Sequence, residues 1–177
     1  MKKIGLNVGV LVIALAMFSC EDDITSINLN SELEEEVNVS AGEGQSQFTQ
    51  SVTIDATQDS DIQEYLGKIK EYQIESITYR IEDYQGDAST QFSGSLTIMP
   101  SGTATGNTFE YQIDPVTLST SQGQDIPVNF SQDDLDEIEG LLRASNAVNT
   151  SVIGMLSDVP ASFRLILKMT IKVKANA

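Results

Sequence analysis

The chain has 177 residues, of which 40% are hydrophobic, and this length suits one domain with its own core better than two. A single Cys excludes a disulfide within a monomer, and the absence of His removes the most common general base of enzymes. Ten Lys and Arg oppose 26 Asp and Glu, and the net charge of −16 repels phosphate backbones, so nucleic acid is excluded as a partner.

Residues 1–19 have the pattern of a signal peptide that is removed. Lys2 and Lys3 form a short basic start, and an apolar run follows over residues 4–18. This run is too short to remain in a bilayer as a permanent span. We therefore expect cleavage after residue 19, which leaves eight of the ten cations in the mature chain.

The end of this segment, Met17-Phe18-Ser19-Cys20, resembles the lipobox of bacterial lipoproteins. Phe18 departs from the small residue that is usual at its position. The resemblance implies cleavage before Cys20, a diacylglyceryl group on its thiol and acylation of the new amino group. This covalent lipid would be the only group that the protein carries, and its acyl chains would anchor the protein firmly. The alternative is an ordinary secretory signal with an incidental Cys.

Three acids, Glu21, Asp22 and Asp23, follow Cys20 directly. This pattern resembles the export signal of Bacteroidota lipoproteins that are carried to the outer face of the outer membrane. The resemblance implies a lipid-anchored protein of the outer membrane that faces outward. The alternative is that the three acids are only part of a soluble tether.

The region 20–43 is interpreted as a flexible tether. It has little apolar periodicity, and Glu32, Glu34, Glu35 and Glu36 gather negative charge beside Asn and Ser. Such a composition is typical of an extended linker whose charges repel one another. We therefore place the folded domain at 44–177.

The domain is predicted to be an antiparallel β-sandwich of about eight strands with one or two short helices. Strands are indicated by alternation of apolar and polar residues, which becomes regular from Val37 onward. The clearest strand runs from Phe163 to Val173. A change of parity near Glu75 and Ser76 predicts a β-bulge. The other alternating segments are 48–56, 72–81, 92–98, 109–113 and 126–130.

Two octets, 47–54 and 91–98, are identical at five positions. We interpret them as two strands with the same pattern of inward and outward residues, because two copies are too few for a repeat architecture.

Two helices are predicted to interrupt the strands. Ser131 is a suitable N-cap for an amphipathic helix that contains Leu135, Ile138, Leu141 and Leu142. A shorter helix is expected to begin near Asp59 to Asp61 and to include Ile62, Tyr65 and Leu66. Residues 146–158 have no pattern that decides their structure.

Two groups of acids suggest catalysis or metal binding, but each also suits a helix terminus. The first group is Asp133, Asp134, Asp136, Glu137 and Glu139, and the second is Asp55, Asp59, Asp61 and Glu64. Acids near the start of a helix are favoured by its dipole, which is our interpretation of the first group. The second group offers oxygen ligands for calcium but lacks the Gly and the spacing of an EF-hand loop, so we interpret it as helix capping. We therefore predict no catalytic residues and no metal ligands.

Four of the five Tyr lie between Tyr65 and Tyr84. Tyr rings on an exposed sheet would stack on sugar or protein, but they more often pack in a core. Tyr79 shares the parity of Ile77 and Ile81 and is predicted to point inward, whereas Tyr84 is placed near a turn.

Four of the cations lie on one face of the C-terminal strand and are the candidate partner-binding residues: Arg164, Lys168, Lys172 and Lys174. The first hypothesis for them is a basic stripe that binds an anionic partner. The alternative is that they pair with acids of neighbouring strands, such as Glu71, Glu75 or Glu82.

We interpret the protein as a non-enzymatic lipoprotein, held at the membrane by its lipid, whose domain binds an envelope protein or a glycan or has a structural place in an envelope complex. One alternative is a glycan hydrolase that uses two carboxylates. The other alternative is a calcium-dependent adhesion module.

Overall fold

The computed structural model describes residues 26–177, which form two antiparallel four-stranded β-sheets packed face to face, and it confirms the predicted sandwich. The predicted signal peptide, Cys20 and the acids 21–23 lie outside the described residues. The strands are β1 (Ser26–Ala41), β2 (Gln47–Asp55), β3 (Ile69–Gln85), β4 (Gln91–Pro100), β5 (Phe109–Thr117), β6 (Ile126–Pro127), β7 (Ala147–Leu156) and β8 (Ala161–Asn176). The helices are α1 (Ser60–Gln63), α2 (Leu118–Ser121) and α3 (Gln132–Ser145), with 3-10 turns at Ala56–Gln58 and Leu66–Lys68.

The strands pair as they would in a single long hairpin that is folded into two layers. Sheet A has the strand order β1-β8-β3-β6, and sheet B has the order β2-β7-β4-β5. The first strand therefore pairs with the last, the second with the seventh, the third with the sixth, and the fourth with the fifth. This connectivity is that of a jelly roll, in which antiparallel strands are distributed between two layers.

The connections gather at the two ends of the sandwich. The terminal end contains Ser26 and Asn176, together with the connections 55–69, 100–109 and 145–147. The distal end contains the connections 41–47, 85–91, 117–126 and 156–161. Because β1 has 16 residues, the two ends lie about 50 Å apart along this strand at about 3.3 Å per residue.

The core lies between the sheets and is formed by alternate side chains of each strand. Phe48, Phe92 and Phe163 meet there with ring centroids 5.8–6.0 Å apart. The rings of Phe48 and Phe92 pack directly against the backbone at Gly154, where a Cβ would overlap both. The two octets are β2 and β4, which lie on either side of β7 and point equivalent residues into this core.

The prediction of a flexible tether is wrong for Ser26–Ala41, which is the edge strand β1 of sheet A. Its apolar residues Leu33, Val37 and Val39 are buried, and the glutamates at 32, 34 and 36 have the opposite parity and are exposed. Glu34 lies opposite Lys168 of β8. The charges that suggested a self-repelling linker therefore face cations that are distant in the sequence. The domain includes Ser26–Ala41, which the prediction had placed in the tether before residue 44.

Other predictions agree with the structure in detail. The register between β3 and β8 shifts between Ile74 and Ser76, so the predicted bulge is confirmed. The Ser131 side chain accepts from the backbone N–H of Asp134, and the Asp134 carboxylate accepts in return from that of Ser131, which confirms the predicted cap of α3. The undecided segment 146–158 contains β7. No helix of the described residues is long and apolar enough to cross a membrane.

Candidate functional site

The outer face of sheet A carries the four predicted partner-binding cations, and the structure surrounds them with carboxylates. Arg164 donates to Glu36 at 2.9 Å, to Glu82 at 2.6 Å and to Asp83 at 2.9 Å. These contacts reach strands on both sides of β8. The hydrogen bond and the charge of Glu36 are the main reasons that the pKa of Arg164 is raised.

The lysines of the same strand are placed similarly. Lys168 donates to Asp125 at 3.1 Å, and Lys172 pairs with Glu75. The hydrogen bond with Asp125 raises the pKa of Lys168, and the reciprocal bond lowers the pKa of the Asp125 carboxyl. Lys174 lies opposite Asn28 on β1 and Glu71 on β3.

Sheet A therefore presents a mixed-charge surface in which cations of the central strand lie between acids of its two neighbours. The contacts to Glu75 and Glu82 are those expected if the cations pair with neighbouring strands. A separate positive strip would attract anions strongly, but pairing weakens that field. The binding of an anionic partner by this stripe stays a prediction.

The acids of α3 have local structural roles. Asp133 and Asp134 lie in the first turn of the helix, where the dipole favours them. Glu137 accepts from the amide of Asn107 at 2.6 Å, whereas Glu139 accepts from the backbone N–H of Ile74 at 2.7 Å. The Glu139 bond satisfies a backbone donor of β3. Burial raises the pKa of the Glu139 carboxyl in spite of this bond.

The acids of the second group cap short helical turns. Asp55 accepts from the N–H of Thr57 at 2.8 Å. Asp59 accepts from the N–H groups of residues 61 and 62 at 2.9 and 3.0 Å and from the Ser31 hydroxyl at 2.5 Å. Burial alone would raise the pKa of Asp55 and of Asp59, but these hydrogen bonds lower both. In residues 26–177, no group of three or more acids or Cys is arranged to hold a metal ion.

One carboxylate that the sequence did not single out lies beside this group. Glu35 has the inward parity of β1, and its pKa is raised by burial and by the charge of Asp55. The two residues line a groove of 470 Å³ between β1 and the turn that follows β2. The only available signal was the parity of β1, which was obscured because this strand was interpreted as a linker.

The tyrosines belong mainly to the core. Tyr72 and Tyr79 are each 2% exposed, which confirms the inward position of Tyr79. Tyr84 lies near the turn after β3, as predicted, and its hydroxyl donates to the carbonyl of Asp87 at 2.6 Å. Tyr65 is half-buried, with the Lys68 ammonium 6.0 Å from its ring centroid. The structure does not bring these rings together as an exposed stacking surface.

The outer face of sheet B is chemically different from that of sheet A. Its outward side chains are mostly Ser, Thr, Asn and Gln, and several bond across the strands. The Thr53 hydroxyl donates to Asn149 at 2.8 Å, and the Ser51 hydroxyl donates to Ser151 at 3.2 Å. Three carboxylates have the outward parity of this face, Asp55 at the end of the edge strand β2 and Glu110 and Asp114 on the edge strand β5.

On the inner strand β7, toward the distal end of this face, are the two large apolar residues that the described chain exposes most, Ile153 at 52% and Met155 at 49%. They lie on β7 and line a shallow groove of 380 Å³. The uncharged polar side chains that border the groove are Gln47, Ser93, Ser95 and Gln112. Sequence reasoning missed this site because β7 has apolar residues at both parities, which removes the alternation that identifies a strand.

No known family model matches the chain, and no curated protein matches it either. Among solved structures, it is similar to that of Desmodium yellow mottle tymovirus, with a TM-score of 0.39 and 12% identity over 100% of this chain and 96% of that chain. It is also similar to the decameric BFDV capsid protein (TM-score 0.42, 9% identity, 86% and 99% of the two chains). A third similar structure is that of turnip yellow mosaic virus (TM-score 0.35, 11% identity, 86% and 95%). At these identities and TM-scores, the similarity carries no functional argument.

Proposed function

We propose that this protein is a lipoprotein of the outer membrane, anchored through Cys20 and facing outward, and that its domain is a non-enzymatic module that binds an envelope protein. The anchoring part of the proposal is supported by the basic and apolar segment 1–19, the lipobox-like Met17-Phe18-Ser19-Cys20 and the acids 21–23. The binding part is supported by the outer face of sheet B. We propose that the groove beside Ile153 and Met155 is the docking surface.

The single observation that carries the docking surface is the exposure of two adjacent apolar side chains within an uncharged polar border. Protein interfaces commonly combine an apolar centre with a polar rim. Ile153 and Met155 are each about half exposed, so burying the remainder of each would contribute about 1 kcal/mol to association. Two such residues suit a modest, specific contact that other contacts would supplement.

The chemistry of the face favours a protein over a glycan. Aromatic rings provide both apolar area and stacking, but the outward residues of described sheet B include none. The face also has no Lys or Arg, so it offers nothing that would select an acidic sugar. In a protein with 26 acids, the inner strands of this face, whose carboxylates lie on its edge strands, offer a second acidic protein a surface of low charge.

The docking surface is tested by affinity capture from envelope extract with three forms of the lipidated protein. The forms are wild type, Ile153→Glu with Met155→Glu, and a control with Asn38→Glu and Ser40→Glu. The control adds the same two charges to exposed positions of β1 on sheet A. We expect one protein to be captured by wild type and control at similar yield, and at least tenfold less by the sheet B variant. Equal capture by all three forms would refute the docking surface.

Anchoring is tested separately in cells. Cys20→Ala should abolish fatty-acid labelling and move the protein out of the membrane fraction. Replacement of Glu21, Asp22 and Asp23 by Ala should keep the label but remove access to protease added to whole cells. A Cys20→Ala variant that stays in the membrane fraction would contradict lipid anchoring. Protease access that is unchanged in the triple variant would contradict the export role of the acids.

A second candidate function, glycan hydrolysis by two carboxylates, is favoured by one observation. Glu35 and Asp55 share a groove, and the pKa of the first carboxyl is raised while that of the second is lowered. Such a pair is suited to act as acid and base. Release of reducing ends from envelope polysaccharide, lost in both Glu35→Gln and Asp55→Asn, would support this function. Release that is absent in wild type, or retained in both variants, would exclude it.

A further inference from the structure

The position of β1 fixes which end of the sandwich lies next to the proposed anchor. Five residues, 21–25, separate Cys20 from Ser26 in the sequence. Six steps of extended chain span at most about 20 Å. Ser26 lies at the terminal end, and β1 then runs about 50 Å to the distal end. The spacer is therefore much shorter than the domain, so the terminal end is held beside the lipid.

The charges of the sandwich are distributed unequally between its ends. At the terminal end of sheet A, Lys68, Lys70, Lys172 and Lys174 are accompanied by two acids of β3, Glu71 and Glu75, and Glu75 pairs with Lys172. The first residues of β1, Ser26 to Asn30, carry no charge. Four of the ten cations in a strongly acidic chain thus lie around the point where β1 begins.

The distal end has the opposite character. Its connections 41–47, 85–91, 117–126 and 156–161 contain no Lys or Arg, but each contains an acid. Glu43, Asp87 and Asp158 are the acids of three of these connections, whereas the fourth acid, Asp125, lies over sheet A, where it pairs with Arg80 and Lys168. The cation of the adjoining strand ends, Arg164, is bound by Glu36, Glu82 and Asp83. An anionic surface would repel this end and attract the lysines of the other.

Helix α3 brings acids to the terminal end, since Glu137 accepts from Asn107 and Glu139 accepts from the backbone N–H of Ile74. Acids are also present there in the segment from Asp55 to Glu64, which follows β2. This segment packs against β1 at Ser31, through the hydrogen bond from the Ser31 hydroxyl to Asp59, five residues beyond the start of the strand. The lysines at 68 and 70 are both exposed and flank the start of β3, which pairs with the end of β8. The basic part of the terminal end is therefore the corner of sheet A from which the spacer emerges.

We infer that this corner rests on the membrane surface, with Lys68 and Lys70 at the level of anionic lipid headgroups, and that the distal end and the outer face of sheet B point away from the lipid. The inference rests on the proposed anchoring through Cys20. It adds that the domain has one orientation on the membrane. The docking groove beside Ile153 and Met155 is then left accessible to a partner.

The orientation is measured by energy transfer from a dye on the protein to acceptors on lipid headgroups. Lipidated protein is reconstituted into vesicles of phosphatidylcholine with or without phosphatidylglycerol. One cysteine is introduced for labelling, at Gly67 on the terminal end or at Gly42 on the distal end. Neither glycine has a neighbouring atom within 4 Å of an added Cβ, and neither has a positive φ, so both substitutions are tolerated. The Cys20 thiol is blocked by its lipid and takes no dye.

We expect transfer from position 67 to be at least threefold that from position 42 in anionic vesicles. Lys68→Glu with Lys70→Glu, in the Gly67→Cys background, should reduce this ratio, as should high salt in the unaltered protein. Equal transfer from the two positions, in protein that floats with the vesicles, would overturn the orientation. An unchanged ratio in the double Lys variant would overturn the role of the lysines. Protein that does not float would instead refute the lipid anchor.

Discussion

Asn146 is expected to be the residue outside the core whose replacement destabilises the domain most. It follows α3 in the left-handed conformation, with φ 57°, and its backbone N–H donates to the carbonyl of Leu142 at 2.6 Å. Its side-chain oxygen accepts from the hydroxyl of Tyr72 at 2.8 Å. Asn146 therefore ends the helix and provides a hydrogen-bond acceptor for the hydroxyl of Tyr72, a residue that is 2% exposed.

The magnitude of the effect follows from these two roles. In Asn146→Ala, a side chain that is strained in the left-handed region costs about 1–2 kcal/mol. The unpartnered Tyr72 hydroxyl adds about 1–3 kcal/mol. With about 3 °C per kcal/mol for a domain of this size, the melting temperature should fall by roughly 6–15 °C.

Three further variants separate the two roles. Asn146→Gly relieves the strain but still lacks the acceptor for the Tyr72 hydroxyl. Its free energy of unfolding should therefore exceed that of Asn146→Ala by about 1 kcal/mol. Asn146→Asp keeps an acceptor and tolerates the left-handed region, so it should melt near wild type. In Tyr72→Phe the hydroxyl is absent, so a further change of Asn146 to Gly should have little additional effect.

The measurement is thermal unfolding followed by circular dichroism, with urea unfolding to obtain free energies. If Asn146→Ala melts within about 2 °C of wild type, then neither the strain nor the Tyr72 bond is important for stability. If Asn146→Gly is destabilised as much as Asn146→Ala, the left-handed conformation makes no contribution and the reasoning on helix termination is wrong.

Three other predictions concern pH and packing. Burial and the charge of Asp55 raise the pKa of Glu35, so the ionised carboxylate destabilises the fold at neutral pH. Glu35→Gln should therefore increase the free energy of unfolding at pH 7. Urea titrations at stepped pH should show that this gain vanishes below pH 4.5, the ordinary pKa of the group. Burial raises the pKa of Tyr72 and of Tyr79 to about 12, so the free energy of unfolding should decline as pH rises from 10.0 toward 12. Tyr79→Phe should make this decline less steep. An equally steep decline in the variant would contradict the attribution of the effect to Tyr79. A Cβ at residue 94 would overlap the backbone carbonyl of residue 153, so Gly94→Ala should lower the free energy of unfolding by about 1–3 kcal/mol, whereas the control Gly42→Ala should change it by less than about 0.5 kcal/mol.

Local signals in the sequence determined most of the elements. The alternation of Phe163 to Val173 predicted β8, because a strand between core and solvent needs apolar residues at every second position. Ser131 and the acids after it predicted the start of α3, because a helix start has N–H groups without partners in the helix. The N-terminal segment is the basis for the proposed location at the outer membrane, because that location depends on a linear signal and not on a fold.

Only the tertiary structure decided that residues 26–41 form a strand and which surface is available for binding. The glutamates of β1 are typical of a linker when the sequence is considered locally, and they become part of a strand because β8, more than 120 residues later, supplies cations and hydrogen bonds. The same packing pairs Arg164, Lys168 and Lys172 with acids, which weakens the basic stripe that the sequence suggested. It also leaves Ile153 and Met155 exposed. These outcomes depend on which strands are neighbours, and strand order is set by contacts between distant segments that no local pattern records.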